Sequence, residues 1–519
     1  MKKPQVVLIN PPAKSIRSPE EHLGLGYLCS YLRKNGIEAH ILDSFLNSYS
    51  TRETFKKIKT QGNIKVAAFT VSIDSYQQAK ELIEKIKSVN KETFIVLGGH
   101  VATFSYNEIL NELPVDIIVR GEGEEVFLNL VISLIDNKDW TSINGIVYKK
   151  GDSIIVNDPQ TLVGNLDKLP FPCRDTITSA IKNKTFIHIS ASRGCYGNCS
   201  FCSINSLYKI SPKPCSKSHG GWRGRSPLNI AQEIEFLNSS FGVTHFKFVD
   251  DCFFSPDKYW KERAFTFAEE IKKRKLKIQY RISTRVNNVD EKLFRELRDT
   301  GLTSLSVGIE SGNQRALNTF NKGVTVEKNI QALKVLDKLG LITMMGFIGF
   351  DPYTKLEELE ENYNFLDKYS RNCITNKISL PLYIHADDPI TRVLLKQGFL
   401  KNRDFPNYTY QIQDQRARRV YELLCFWNSY NEKLYTKVID PLSAPMVISP
   451  KNKILVHNLI KEMRGYDLEA FQYCLETIKN NFKFTNEEFK PFIDSYKNKW
   501  GHIQKSIDRV YLEEGYYLK

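Results

Sequence analysis

The chain has 519 residues, 41% of them hydrophobic and 25% charged, which is the balance of a folded globular protein and excludes a disordered or fibrous one. Lys plus Arg number 73 against 59 Asp plus Glu, a formal charge of +14, but the excess is spread along the chain without the basic block that marks a nucleic-acid arm. No apolar stretch approaches the roughly 20 residues that span a bilayer, the run at 6–9 is too short for a signal peptide, and a cytoplasmic protein of two or three domains is expected.

From residue 5 to about 150, short β-branched runs alternate with amphipathic stretches. Strands are expected at 6–9, 38–42, 66–71, 94–97 and 117–119. Helices are expected at 24–35, stopped by Gly36, at 76–89, with Ala79, Leu82, Ile83 and Ile86 on one face, and at 126–135. This alternation implies a doubly wound, Rossmann-like parallel sheet over 1–150, whose ligands sit at the carboxyl ends of the strands. Four loops fall there: Asn10-Pro11-Pro12, Ser72-Ile73-Asp74, Gly98-Gly99-His100 and Gly121-Glu122-Gly123-Glu124. Any one of them reads equally well as an ordinary turn. Together they argue for a bound ligand held by Asn10, Ser72, Gly98, Gly99, His100, Gly121, Glu122 and Glu124. None of them is a Gly-x-Gly-x-x-Gly dinucleotide fingerprint.

Turn dipeptides such as Asn144-Gly145 and Gly151-Asp152 predict a small hairpin, then a linker over 151–184. A β-rich run at 185–190 leads into Cys195-Tyr196-Gly197-Asn198-Cys199-Ser200-Phe201-Cys202. Ten cysteines in a reducing compartment are ligands or buried thiols rather than disulfides. Cys195, Cys199 and Cys202 can wrap one iron–sulfur cluster through their thiolates. A closed zinc site with Cys215 or His219 as fourth ligand is the alternative.

Downstream, helices near 226–238, 265–274, 290–300 and 326–339 alternate with strands at 245–249, 279–283, 304–308 and 342–348, the period of a partial β/α barrel over 185–388. Asp250, Asp251, Arg285 and Glu310 follow its strands, at the face where such barrels carry their chemistry. Helix caps and barrel-rim structure are the competing roles for the carboxylates. Residues 389–519 mix aromatic and charged residues in helical patterns, as at 420–430 and 468–481, and read as a mainly helical domain with an aromatic core.

The Cys-x-x-x-Cys-x-x-Cys loop, with Phe201 before its last cysteine, resembles the signature of radical S-adenosylmethionine enzymes. Asp250-Asp251, Arg285, Val307-Gly308-Ile309-Glu310-Ser311-Gly312 and Gly346–Pro352 resemble that family's strand-end segments, and Trp222-Arg223-Gly224-Arg225-Ser226 its link after the cluster loop. Asn10-Pro11-Pro12, Leu23–Leu28, Leu97–Thr103 and Arg120–Glu124 resemble the cobalamin-binding domain that precedes many of its members. The resemblance implies a [4Fe–4S] cluster on three thiolates, with S-adenosylmethionine chelating the open iron and giving a 5′-deoxyadenosyl radical. It places Phe201, Asp250, Asp251, Arg285 and Glu310 around the nucleotide and the loops of the first domain around cobalamin. The loop at 10–21 lacks the histidine that ligates cobalt in many cobalamin domains. Cobalt without a histidine beneath it, as in much of this subfamily, gives up methyl more easily.

The implied activity is methyl transfer to an unactivated carbon of a small-molecule or peptide substrate, with an electron donor such as flavodoxin or ferredoxin. A rearrangement, cyclisation or oxidation using cobalamin is a second outcome, and a cluster-containing RNA-modifying enzyme a third. Methylthiotransferases of the latter kind usually carry three more cysteines near the N-terminus, and here Cys29 is the only one before Cys173. A nucleic-acid partner is not expected.

Overall fold

The computed structural model describes residues 5–14, 19–211, 221–375, 377–386, 388–402, 405, 408–443 and 446–516; Cys215 and His219 of the zinc alternative lie outside them. The chain divides into two compact units. One comprises Met1–Tyr196, Ser203–Val243 and Ser255–Asp257, the other Gly197–Cys202, Thr244–Phe254 and Lys258–Lys519.

In the first unit, β1 (Val6–Asn10), β2 (Ala39–Asp43), β3 (Val66–Thr70), β4 (Phe94–Gly98) and β5 (Ile117–Val119) run parallel in the order β2-β1-β3-β4-β5. The first four residues of β1 and of β3 are buried, because the apolar runs Val-Val-Leu-Ile and Val-Ala-Ala-Phe are covered on both faces, as in other parallel sheets. The strand order reverses between β1 and β3, which makes that edge the topological switch point where ligands bind. Asn10 pairs in register with Asp43, and Thr70 with Gly98, so the loops that follow share one edge.

The hairpin β6 (Ile146–Lys150) and β7 (Ser153–Val156) continues this sheet antiparallel to β5. The expected boundary near 150 falls inside it: Ile146, Val147 and Tyr148 are core residues, so the sheet extends to Val156. Helix Thr51–Thr60 escaped the sequence pattern because it buries only Thr54 and Ile58, too few apolar residues for a period; a Ser50–Glu53 capping box starts it. After β8 (Ile187–Ile189), β9 (Ser192–Arg193) pairs antiparallel with β10 (Arg223–Gly224), setting Arg193 opposite Arg223. Helix Pro227–Phe241 follows, with Ser226 as N-cap and Pro227 in its first turn.

In the second unit β11 (His245–Phe248), β12 (Gln279–Arg285), β13 (Leu302–Glu310), β14 (Ile342–Phe347) and β15 (Cys373–Thr375) pair parallel, each with the next. Helices Trp260–Lys273, Glu291–Asp299, Val326–Lys338 and Leu356–Tyr369 alternate with them, as a partial β/α barrel requires. A register shift between Gly308 and Glu310 ends β13, and Glu310 adopts φ 67°, a left-handed conformation uncommon for a residue with a side chain.

The C-terminal region is helical, over Gln415–Ser443, Pro450–Asn480, Asn486–Asp494 and Lys497–Glu513. Its core centres on aromatic residues: Trp427 is fully buried, packs edge-on to Tyr496 (5.0 Å) and Trp500 (4.9 Å), and donates from Nε1 to Asp467 (2.8 Å). Among the described residues no helix is long and apolar enough to cross a membrane.

Candidate active site

At the strand-end edge of the first unit, the loops divide into side chains held by the fold and backbone left open. Asn10 Nδ2 donates to Asp43 Oδ1 (2.8 Å), and the amides of Leu46 (3.0 Å) and His22 (3.3 Å) donate to the same carboxylate. Burial pushes the Asp43 carboxyl up to about 6, against these donors. Ser72 is exposed and caps a short turn through Ser75; Ile73 beside it is 40% exposed. Gly99 is exposed at φ 95°, and a Cβ there would stand 3.3 Å from Thr70 Oγ1. Gly121 has φ 76° with open space where a Cβ would be. His100 is half-buried and lies against the Phe104 ring (5.7 Å).

Glu122 and Glu124 are the side chains most firmly held. Glu122 accepts from Arg193 (3.1 Å), Arg223 (2.8 Å) and the Val163 amide (2.8 Å), while Glu124 accepts from the other arm of Arg193 (2.6 Å). Burial would raise the Glu122 carboxyl, but the two guanidiniums outweigh it and hold it below the usual carboxylate range. Tyr27 lies under the Arg193 guanidinium (5.2 Å). A second buried cluster joins Glu21 and Glu233 through Arg174 (2.9 and 2.7 Å), and Glu233 also takes Arg225. Arg193, two residues before Cys195, is therefore locked to the loop after β5. Sequence reasoning read Glu122 and Glu124 as ligand-facing and passed over Arg193. Its signal was an arginine inside an otherwise apolar and small-residue run leading to the cysteines.

In the second unit, Cys199 is buried and Cys202 half-buried, one turn apart, with the Cys202 amide donating to the Cys199 carbonyl (3.3 Å). Arg285, the last residue of β12, is 7% exposed and donates from Nη1 to Cys199 Sγ (3.3 Å). Its Nη2 donates to the Lys322 carbonyl, and Lys322 Nζ in turn pairs with Glu310 (2.7 Å). Gly308 makes room for that pair: a Cβ there would lie 2.4 Å from both Glu310 Oε1 and Lys322 Nζ. Phe201 packs edge-on against Phe320 (5.5 Å), and Ser200 anchors the loop by its amide on the Phe320 carbonyl (2.8 Å). Of the two aspartates after β11, Asp250 is 4% exposed and Asp251 lies on the surface.

Helix Gln415–Ser443 brings Tyr421 onto Phe350 (5.0 Å), just past β14, with the half-buried Cys425 one turn on. Their i, i+4 spacing was lost within an aromatic-rich helix whose core face carries similar residues.

The chain matches the B12 binding domain family over residues 11–131 and the Radical SAM superfamily over 189–366. It is 30% identical over 378 residues to an uncharacterized methyltransferase, PH0819, of Pyrococcus horikoshii, covering 71% of this chain and 79% of that one. The chain belongs to the cobalamin-dependent radical S-adenosylmethionine enzymes.

This radical S-adenosylmethionine enzyme is also 31% identical over 359 residues to the anaerobic magnesium-protoporphyrin IX monomethyl ester cyclase of Rubrivivax gelatinosus, over 65% of this chain and 60% of that longer one. Its fold matches the cobalamin-dependent S-adenosylmethionine radical enzyme OxsB, solved with aqua-cobalamin bound, at a TM-score of 0.77 and 20% identity, across 98% of this chain and 80% of that one. Its cofactors are cobalamin, a [4Fe–4S] cluster and S-adenosylmethionine. The donor chemistry fits them. A buried thiol with a guanidinium N–H on its sulfur suits a cluster ligand, and exposed backbone at Ser72 and Gly99 suits close approach of a flat macrocycle.

Proposed function

We propose that this enzyme transfers a methyl group to an unactivated carbon of a small-molecule or peptide substrate, with electrons from a flavodoxin- or ferredoxin-type donor. The cofactors supply the radical, the methyl carrier and the electron path. In this reading Cys195, Cys199 and Cys202 hold the cluster. Phe201, Asp250, Asp251, Arg285 and Glu310 surround the nucleotide. Asn10, Ser72, Gly98, Gly99, His100 and Gly121 border cobalamin. Glu122 and Glu124 act through Arg193, holding the approach to Cys195.

The observation that carries it is His22. Its Nδ1 accepts from the Leu25 amide (3.3 Å) and its Nε2 meets Thr70 Oγ1 (3.2 Å), so both ring nitrogens are used within the fold. With no histidine in the loop at 10–21, that loop offers cobalt no imidazole, which favours giving up methyl. The relationship to a methyltransferase over 71% of the chain points the same way. The relationship to the cyclase supports a second reading, a ring-forming or oxidative reaction without methyl transfer.

The deciding experiment is mass spectrometry of products formed with methyl-labelled S-adenosylmethionine, on substrates drawn from the gene neighbourhood. Label in the product supports methyl transfer; turnover to an unlabelled product refutes it. Cys195→Ala, Cys199→Ala and Cys202→Ala should each abolish 5′-deoxyadenosine formation. Equal loss of metal in Cys215→Ala or His219→Ala would favour a closed four-ligand site.

A further inference from the structure

Arg285 makes a contact that nucleotide binding does not explain. Its guanidinium is buried at the end of β12, with Nη1 3.3 Å from Cys199 Sγ and Nη2 on the Lys322 carbonyl. Lys322 is itself buried and paired with Glu310, so the residue whose carbonyl accepts from Arg285 is anchored by an ion pair. The cysteine loop is shaped around the same group. A Cβ on Gly197 would lie 2.1 Å from Arg285 Nη1 and 2.8 Å from Cζ, so only glycine leaves the guanidinium where it is. An arginine thus reaches a sulfur through a gap that the loop keeps open for it.

We propose that Arg285 is a positioning residue for the cluster: it donates to the Cys199 sulfur and raises the potential at which the cluster accepts its electron. Hydrogen bonds to cluster sulfurs and nearby positive charge both stabilise the more negative, reduced form. The guanidinium fork spans two acceptors at fixed separation, which a lysine ammonium cannot reproduce. The inference rests on the three-cysteine ligand set proposed above.

The test compares the full-length wild type, Arg285→Lys and Gly197→Ala, each reconstituted anaerobically. Iron content is measured first, then the electron paramagnetic resonance signal of the reduced cluster is titrated against potential with dithionite. Arg285→Lys keeps the charge but loses the fork; Gly197→Ala keeps the arginine and pushes it off the sulfur. Both should hold wild-type iron and titrate at more negative potential. At a fixed poise the ratio of reduced to oxidised cluster should fall about tenfold, which is about 59 mV for one electron. Unmoved midpoints with full iron in both variants would overturn the inference. So would an Arg285→Lys enzyme that loses S-adenosylmethionine affinity at an unmoved midpoint, since Arg285 would then act on the nucleotide and not on the cluster. A wild type that assembles no cluster on these cysteines would overturn the ligand set instead.

Discussion

His22 and Thr70 hold each other at the switch point of the first sheet, Nε2 and Oγ1 3.2 Å apart. Because Nδ1 already accepts from the Leu25 amide, the hydrogen-bond pattern assigns the ring proton to Nε2, which donates to the threonine. His22 is thus the neutral N-cap of helix Leu23–Lys34.

One consequence is a pH dependence of stability. Burial lowers the His22 pKa from 6.5 to about 4. The unfolded chain therefore binds a proton between those values that the folded chain refuses. The stabilisation is complete above pH 6.5 and is lost as pH falls toward 4. Asp43, which accepts the His22 amide, works the other way: its raised carboxyl takes up a proton in the folded state as pH falls through about 6. Wild type alone should show a muted profile. The advantage of wild type over His22→Asn, which keeps a capping side chain but removes this titration, should shrink between pH 6.5 and 4 by up to about 3 kcal/mol. Denaturant melts across that range measure it; a constant difference would contradict the assignment.

The same geometry bears on cobalt. With both His22 nitrogens occupied, the Co(II) form of the bound cobalamin should show no nitrogen splitting of its cobalt lines by electron paramagnetic resonance. His22→Asn should leave that spectrum unchanged. Splitting that vanishes in His22→Ala or His100→Ala would show a histidine ligand and remove the argument for an easily surrendered methyl.

Glu310 calls for a graded test because it pairs with a buried lysine (2.7 Å). Glu310→Ala leaves Lys322 charged and alone, costing about 3–5 kcal/mol whatever the nucleotide does. Glu310→Gln retains an acceptor for Lys322. It should preserve iron content and folding while weakening S-adenosylmethionine binding, read by calorimetry on the anaerobic protein. Unchanged affinity in Glu310→Gln would make Glu310 a structural member of the strand end.

Arg193 should matter to stability more than any other residue of the loop entrance. Removing it in Arg193→Leu strands the buried Glu124, while Glu122 keeps Arg223 and the Val163 amide, at a cost of about 3–5 kcal/mol. The double change Arg193→Leu, Glu124→Gln removes the stranded charge and should recover part of that loss. Thermal melts of the four proteins, with Glu124→Gln as the fourth, give the coupling energy. An additive result would mean the clamp carries no net interaction.

Much of this protein was legible in one dimension. Strand-like runs spaced by amphipathic helices place β1 to β5 and β11 to β14 within a few residues: β1 and β3 through unbroken apolar sequence, β11, β13 and β14 through residues that largely alternate between buried and half-buried. The cysteine spacing and the loop residues point to the cofactors without coordinates, since a thiolate's chemistry is local. Only the tertiary structure could assign partners. Glu122 and Glu124 look like any carboxylates at a helix N-terminus until β9 and β10 set Arg193 and Arg223 beside each other against them. Asn10 reads as a ligand contact until the register of β1 with β2 supplies Asp43, and nothing in the sequence names Thr70, at the end of β3, as the partner of the His22 ring. Arg285 reads from the sequence as a strand-end residue beside the nucleotide, and only the fold adds its contact with the Cys199 sulfur. Secondary structure follows from periodic burial, which a sequence displays. An ion pair or a hydrogen bond to sulfur depends on residues tens of positions apart arriving within about 3 Å, and that is decided only when the chain has folded.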